Sequence, residues 1–236
     1  SYYEYLWERK IKMKTIGIIS AMPSEVKDIR EALGKAAVEK HGAYEFYVWK
    51  KDSVTVVNAC CGIGKVNSAV CASVLINTFK PDFIINCGIA GGMSADVKVC
   101  DIVISKDLMH HDLTPRFLEN YPPYHSKFEA DNELISIAET ACEKLGYKSH
   151  IGRIVSGEQF ISDSALKAEI VKEFSPLAVD MESSAVAHSA FLNGCKFVTI
   201  RCISDNADDN GEMTYEEFEK IAAKRVADVV LAIING

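Results

Sequence analysis

Three acidic residues stand where apolar, β-rich runs give way to helical ones. Glu25 follows KTIGIIS, Glu182 follows the run ending in Val179-Asp180-Met181, and Asp205 follows KFVTI, a run that also carries Arg201. In an open α/β sheet, ligands bind beyond the carboxyl ends of the strands, so these residues are expected to share one crevice. Acids gathered with a guanidinium are a poor solution for core packing, because a buried carboxylate is strongly unfavourable unless paired. They do suit cleavage of a C–N glycosidic bond. That reaction passes through an oxocarbenium-like sugar: one carboxylate activates water, another holds sugar hydroxyls, and an acid protonates the departing base. The paired carboxylates of O-glycosidases are the nearest analogue. Glu25 alone has a plainer account, an acid favoured by the positive end of a helix and worth ~0.3–1 kcal/mol.

Other motifs point less sharply. Cys61-Gly62-Ile63-Gly64-Lys65-Val66-Asn67-Ser68 begins like a dinucleotide fingerprint, but Asn67 holds the place of the third glycine, and no Walker sequence is present. It gives little support to NAD or ATP. Gly88-Ile89-Ala90-Gly91-Gly92 either bares the backbone to a flat or anionic ligand or makes a tight turn. In His110-His111-Asp112, neighbouring strand residues point to opposite faces and the i,i+4 spacing of a helical metal site is missing. No metal and no cofactor are expected. The eight cysteines lack C-x-x-C spacing and mostly sit in apolar runs, so they read as small buried hydrophobes in a reducing, cytoplasmic setting.

The elements that must position the acids alternate. β-rich runs cover 14–20, 44–50, 53–59, 82–88, 101–105, 150–155 and 196–203. Several are nearly continuous in Val and Ile, as expected of strands buried on both faces. Helical periodicity covers 23–33, 64–79, 132–146, 163–174, 182–193 and 214–234. The first of these helices opens on Pro23 and Ser24, and the last on a Thr214/Glu217 capping box. The 64–79 helix is expected to place Val66, Val70, Val74 and Ile76 or Leu75 on one side. Lys51-Asp52 reads as a hairpin turn. The pattern implies one domain, a three-layer α/β/α sandwich around a central mixed β-sheet. Residues 108–131 break the rhythm with three of the six prolines and three of the six histidines, so this insert is expected to be a lid or a subunit contact.

Composition narrows the classes. The 236 residues carry 26 Lys and Arg against 33 Asp and Glu, a net charge of −7 with no basic block, which speaks against nucleic acid or an anionic membrane as partner. No apolar stretch approaches the ~18–20 residues of a membrane span. SYYEYLWERKIK has neither the apolar core nor the cleavage site of a signal peptide. Met13 looks like a natural start, so residues 1–12 read as an extension or a cloning remnant and 13–236 as the functional domain.

AMPSEV, GIGKVNSA, GIAGG, VSGEQFI (155–161), VDMESSAVA (179–187) and RCISDNAD (201–208) occur in that order. Together they closely resemble the 5′-methylthioadenosine/S-adenosylhomocysteine nucleosidases of the nucleoside phosphorylase superfamily, from Met13 to the C-terminus. The resemblance implies irreversible hydrolysis of the N9–C1′ bond to adenine and a 5-thio-substituted ribose, by a homodimer without cofactor. It makes Glu25 the base for the attacking water, with Arg201 helping to position that water. Glu182 binds ribose hydroxyls and steadies the developing cation, and Met181 packs on the ribose. Asp205 is the acid at adenine N7, oriented by Ser204. Phe160 stacks on adenine and Ile161 reads its edge, while Met22, Ile63, Ala90, Gly91 and Tyr215 line the remaining pocket.

The chain departs from that pattern in several places. Ile89 stands where many relatives carry Ser, Asp180 where Glu is more usual, and Tyr215 where Phe is frequent; Ile89 and Asp180 are still expected at the substrate. Residues 112–124 replace the segment that relatives contribute across the dimer to cover the 5′ group. Leu113 and Phe117 are the candidates for that role, with 108–124 at the subunit contact. Three alternatives remain: a futalosine-type nucleosidase, a phosphate-dependent phosphorylase, and a non-catalytic nucleoside-binding protein. The phosphorylase needs an anion-holding first turn, whereas Pro23-Ser24-Glu25 puts a carboxylate there. The binding protein would be expected to have lost one of the three acids.

Overall fold

Runs of Val and Ile with few polar interruptions can be buried on both faces, and here they form the middle of the sheet. In the computed structural model, which describes residues 14–236, β5 (Phe83–Gly92) is buried at every residue and β10 (Lys196–Asp205) at every residue after its first. The two pair in parallel, from Lys196↔Phe83 to Ile203↔Ala90. The start expected at Met13 and the segment 1–12 lie outside the described residues.

On the other edge of β5 lies β1 (Lys14–Ser20), followed outward by β4 (Val54–Cys60), β3 (Tyr44–Lys51) and β2 (Ala37–His41). β1 and β4 are parallel, and β4, β3 and β2 form an antiparallel meander. The expected hairpin turns through Asp52, at φ 52°. On the far side of β10 come β6 (Ile102–His110), β8 (Ser149–Ser156) and β9 (Ala178–Asp180), and β9 returns to pair with β5. A short β7 (Phe128–Glu129) adds to β6. The sheet is therefore mixed, as expected, and half of it closes on itself, which strand twist makes possible.

That closure opens the site. β1 pairs with β5 only as far as Asn86, and β9 meets the same edge at Gly91 and Gly92. Between them the edge of β5 is a fork, the kind of switch point at which α/β sheets bind ligands.

Helices α1 (Pro23–Leu33), α4 (Asn132–Leu145) and α7 (Gly211–Asn235) cover one face, while α2 (Lys65–Phe79) and α6 (Ser183–Leu192) pack together on the other. α5 (Ser164–Phe174) covers a small separate core that includes Val155, Ile161, Phe174 and Val179. Local signals set the helix starts: Asp131 accepts from the amides of Glu133 and Leu134, and Asp163 from that of Leu166.

Four expectations need correction. β2 was not anticipated; all but one of its residues are exposed, so it shows no apolar alternation to read. The insert 108–131 is not wholly irregular, since its residues Pro115–Asn120 form a short helix, α3. α7 begins at Gly211, so Thr214 lies inside the helix and its hydroxyl donates to the Asn210 carbonyl rather than capping. Val66 and Val70 point outward, 75% and 48% exposed, while Ser68, Cys71, Ala72, Leu75 and Ile76 face the core. Small residues on that inner face allow α2 to approach α6 closely.

Candidate active site

The turn after β1 aims Glu25 inward. Pro23 opens α1, and Glu25, at the third helical position, reaches back so that its Oε2 accepts from the amides of Ala21 and Met22, both at 2.9 Å. Its Oε1 accepts from Ile89 N, 2.9 Å away, in the fork that β1 and β9 leave on β5. Burial pushes the Glu25 carboxyl up, against the pull of Arg201 and these three amides. Gly88 makes the approach possible: a Cβ there would lie 2.3 Å from both Arg201 Nη1 and Glu25 Oε1.

Arg201, on β10, is buried behind the acids. Its Nε faces Asp180 Oδ2 at 2.8 Å and Ser183 Oγ at 3.0 Å. Nη1 donates to Ile89 O at 3.2 Å and Nη2 to Asn86 Oδ1 at 2.9 Å. Glu25 and Glu182 lie 3.9 and 3.7 Å from the guanidinium. Burial alone disfavours this charge, but Asp180, Glu182 and Glu25 together hold it on. Arg201 does not itself line the cavity; it stands behind Glu25 and Glu182, the acids that do.

Asp180 lines the cavity and is also tied into the protein around it. Its Oδ1 accepts from Ser156 Oγ at 2.5 Å and from the amides of Glu182 and Ser183 at 3.1 and 3.0 Å. Its Oδ2 takes Arg201 and the Ser183 hydroxyl. The residue forms part of the cavity wall, and its carboxylate is held by five protein groups that orient it against Arg201 and the start of α6.

Glu182 precedes α6 and accepts through Oε1 from Gly64 N at 3.0 Å. Burial raises its carboxyl to about 7, with Arg201 opposing and the nearby Asp180 reinforcing. Asp205 follows a register shift between β10 and β5, and such bulges re-aim side chains. Its Oδ2 accepts from Ser204 Oγ and its Oδ1 from Ala207 N, both at 2.8 Å, while burial pushes its carboxyl up. Three acids thus ionise less readily than in water, as acid–base chemistry near neutrality requires.

A cavity of about 340 Å³ joins them. Glu25, Asp180, Glu182, Ser204 and Asp205 are among its polar groups, and Met22, Ile63, Ile89, Ala90, Gly91, Phe160, Met181 and Tyr215 also line it. Ile161 lines a small adjoining hollow with Gly91, Phe160 and Asp205. The Phe160 and Tyr215 rings meet edge to face, 5.7 Å apart. Leu113 and Phe117 do not line this cavity. Ala21, Val179, Glu212 and Glu216 do, and sequence reasoning missed them. The i,i+4 spacing of Glu212 and Glu216 around Tyr215 was the available signal. His110, His111 and Asp112 diverge: His110 meets Ser184 and His188, His111 packs against Gly157, and Asp112 pairs with Lys65.

Comparison with known proteins agrees with this geometry. The family model described as the phosphorylase superfamily matches residues 15–235. A 5′-methylthioadenosine/S-adenosylhomocysteine nucleosidase of Exiguobacterium sp. is 37% identical over 224 residues, spanning 92% of this chain and 96% of that protein. The crystal structure of the nucleosidase of that name from Neisseria meningitidis, in complex with methylthio-immucillin-A, superposes with a TM-score of 0.88 at 35% identity, covering 94% of this chain and 98% of that one. The futalosine hydrolase of Helicobacter pylori superposes with a TM-score of 0.89 at 26% identity, again over 94% and 98% of the two chains.

Proposed function

The chain belongs to the phosphorylase superfamily, and from that premise we propose that it hydrolyses 5′-methylthioadenosine and S-adenosylhomocysteine to adenine and the 5-thio-substituted ribose. The observation that carries the reading is the burial of Glu25, Glu182 and Asp205 around one cavity beside an apolar slot for a flat base.

Adenine lies against Phe160 with its edge toward Ile161 and Asp205. Asp205, whose carboxyl burial pushes above its ordinary range, gives its proton to N7 as the N9–C1′ bond breaks and the bonding electrons move into the base. Glu182 holds the ribose hydroxyls, and its negative charge steadies the cation developing at C1′. Water adds to C1′ and Glu25 takes its proton. Arg201 keeps Glu25 and Glu182 apart yet facing the same space.

Water is a better nucleophile here than phosphate. Arg201, the cation nearest the acids, is committed to Asp180, Asn86 and Ile89, and Glu25 repels an incoming anion. Residues 13–236 are the nucleosidase domain in this reading. The protein works as a homodimer in which 108–124 lie at the subunit contact and the partner's copy of this segment covers the 5′ group. Exposed apolar side chains at Ile63, Val66, Val70 and Phe117 support that assembly. A cytoplasmic location accords with eight unpaired cysteines. Among the described residues no helix is long and apolar enough to cross a membrane.

An ultraviolet assay of adenine release from a panel of 5′-substituted adenosines, with and without phosphate, tests the reading. Full turnover of methylthioadenosine in phosphate-free buffer is expected, and a strict need for phosphate refutes it. The likeness to the futalosine hydrolase makes one further comparison informative. Aminodeoxyfutalosine should turn over more slowly than methylthioadenosine, and the reverse order reassigns the substrate.

A further inference from the structure

Beside the cavity, three separate segments are tied together by groups that the mechanism above does not use. Gly64 and Lys65, at the start of α2, present adjacent backbone amides to two different carboxylates: Gly64 N donates to Glu182 Oε1 at 3.0 Å, and Lys65 N to Glu158 Oε1 at 2.8 Å. Gly64 has φ +98°, and a Cβ on it would stand 2.9 Å from Glu158 Oε2, so the Glu158 carboxylate packs directly on the bare glycine. Glu158 N in turn donates to Asp112 Oδ2 at 3.0 Å, and the other oxygen of Asp112 pairs with the Lys65 ammonium. The links form a closed ring from the Lys65 amide through Glu158 and Asp112 back to the Lys65 side chain.

Each member belongs to a part of the site. Gly64 holds the acid assigned to the ribose. Glu158 lies two residues before Phe160 in the loop that carries the adenine contact. Asp112 lies in the insert that bears Leu113 and Phe117, next to Leu113. Glu158 lies exposed at the surface, but the Lys65 and Asp112 side chains are only 18% and 29% exposed, so their ion pair is less screened than a fully solvated one. Burial alone pushes the Asp112 carboxyl up, but Lys65 and the Glu158 amide outweigh it and leave it below its ordinary range.

We propose that Lys65, Asp112 and Glu158 are a positioning clasp that fixes the Gly64 amide on Glu182, and thereby couples the 108–124 insert to the ribose end of the site. This rests on the nucleosidase reading above. None of the three is a catalytic residue; they act through Gly64 and Glu182.

The pH profile of kcat/KM for methylthioadenosine tests the clasp, because two explanations predict opposite signs for Asp112→Asn. Removing a negative charge by itself makes Glu182 easier to ionise and moves the acid limb to lower pH. Loosening the Gly64 amide removes a donor that favours ionised Glu182 and moves the limb to higher pH, by roughly 0.5–1 unit. We expect the upward shift in Asp112→Asn and in Glu158→Ala, with KM raised roughly 5–10-fold and kcat changed less than about 3-fold. Glu158→Gln, which keeps an oxygen to accept from Lys65 N, should return both values most of the way to wild type. A limb that stays in place or moves down in both Asp112→Asn and Glu158→Ala overturns the clasp and leaves the nucleosidase reading intact, as does a Gln variant no better than Ala. Wild-type protein that releases no adenine overturns that reading and the clasp's role with it.

Discussion

In the depth of the cavity and behind it, Glu25, Asp205 and Arg201 are each 1% exposed and all have protein partners, whereas at the mouth Phe160 is 43% exposed and Tyr215 reaches Met22 Sδ only across 3.7 Å. The inner end is built by strand ends and the fork in β5, so its groups are held before any ligand arrives. Such preorganisation is what lowers a barrier in which charge develops. The mouth is built from a loop, the first turns of α7 and, in the proposed dimer, a partner's insert. In the proposed reading, the partner's insert at this end is what meets 5′ groups of different size. Chemistry and substrate range are therefore assigned to different ends of one cavity, and variants should separate them.

The largest effects belong to the inner end. Asp205→Asn cannot deliver a proton, and kcat should fall by on the order of 10²–10⁴ while substrate still binds; near-normal turnover would remove Asp205 from the acid role. Glu25→Gln should lose a comparable factor, read in the same assay, because an amide cannot take the proton of water. Gly88→Ala comes next. Its Cβ would collide with Arg201 and Glu25, so thermal unfolding should show a loss of about 1–3 kcal/mol together with depressed kcat. A variant with wild-type melting and turnover would mean that the fork is more yielding than its packing indicates. At the mouth, Phe160→Leu should raise KM roughly 5–10-fold with little change in kcat, since stacking is worth ~0.5–1.5 kcal/mol. A fall in kcat equal to the fall in kcat/KM would place Phe160 with the chemistry instead.

The smallest effect is a sign. Glu182 ionises near 7 in the folded protein against an ordinary value of 4.5, so the fold prefers it protonated. Its contribution to stability is full below about 4.5 and is lost as pH rises through about 7. The role proposed for Glu182 needs the opposite form, so kcat/KM should fall as pH drops below about 7. Melting curves of wild type and Glu182→Gln at several pH values read this directly. The wild type should gain stability relative to the variant on going from pH 8 to pH 5, and a gap that does not change with pH would contradict the burial argument.

Two strand ends were legible because β1 and β10 are nearly unbroken apolar runs, with Glu25 soon after the first and Asp205 closing the second, whereas Glu182 follows the three-residue β9. The specific roles of those acids came from the resemblance; spacing alone did not select adenine. What the sequence hid was non-local. The partners of Arg201 come from β5, β9 and α6, and no local pattern reveals that Asp180 is its nearest counter-ion. The register shift that aims Asp205 depends on how β10 lies against β5. Val66 and Val70 satisfied helical periodicity and still face outward, because Ser68 and Ala72 fit against α6 and a valine does not identify its own neighbour. α3 has six residues with none buried, too short and too exposed to leave an amphipathic signature.

The identity of the nucleophile is the centre of the account, and isotopic labelling tests it most directly. Methylthioadenosine hydrolysed in ¹⁸O-water without phosphate should give one labelled oxygen at C1 of the 5-methylthioribose and none in adenine, at the rate seen with phosphate present. Unlabelled sugar, or a sugar 1-phosphate formed only when phosphate is supplied, would contradict it.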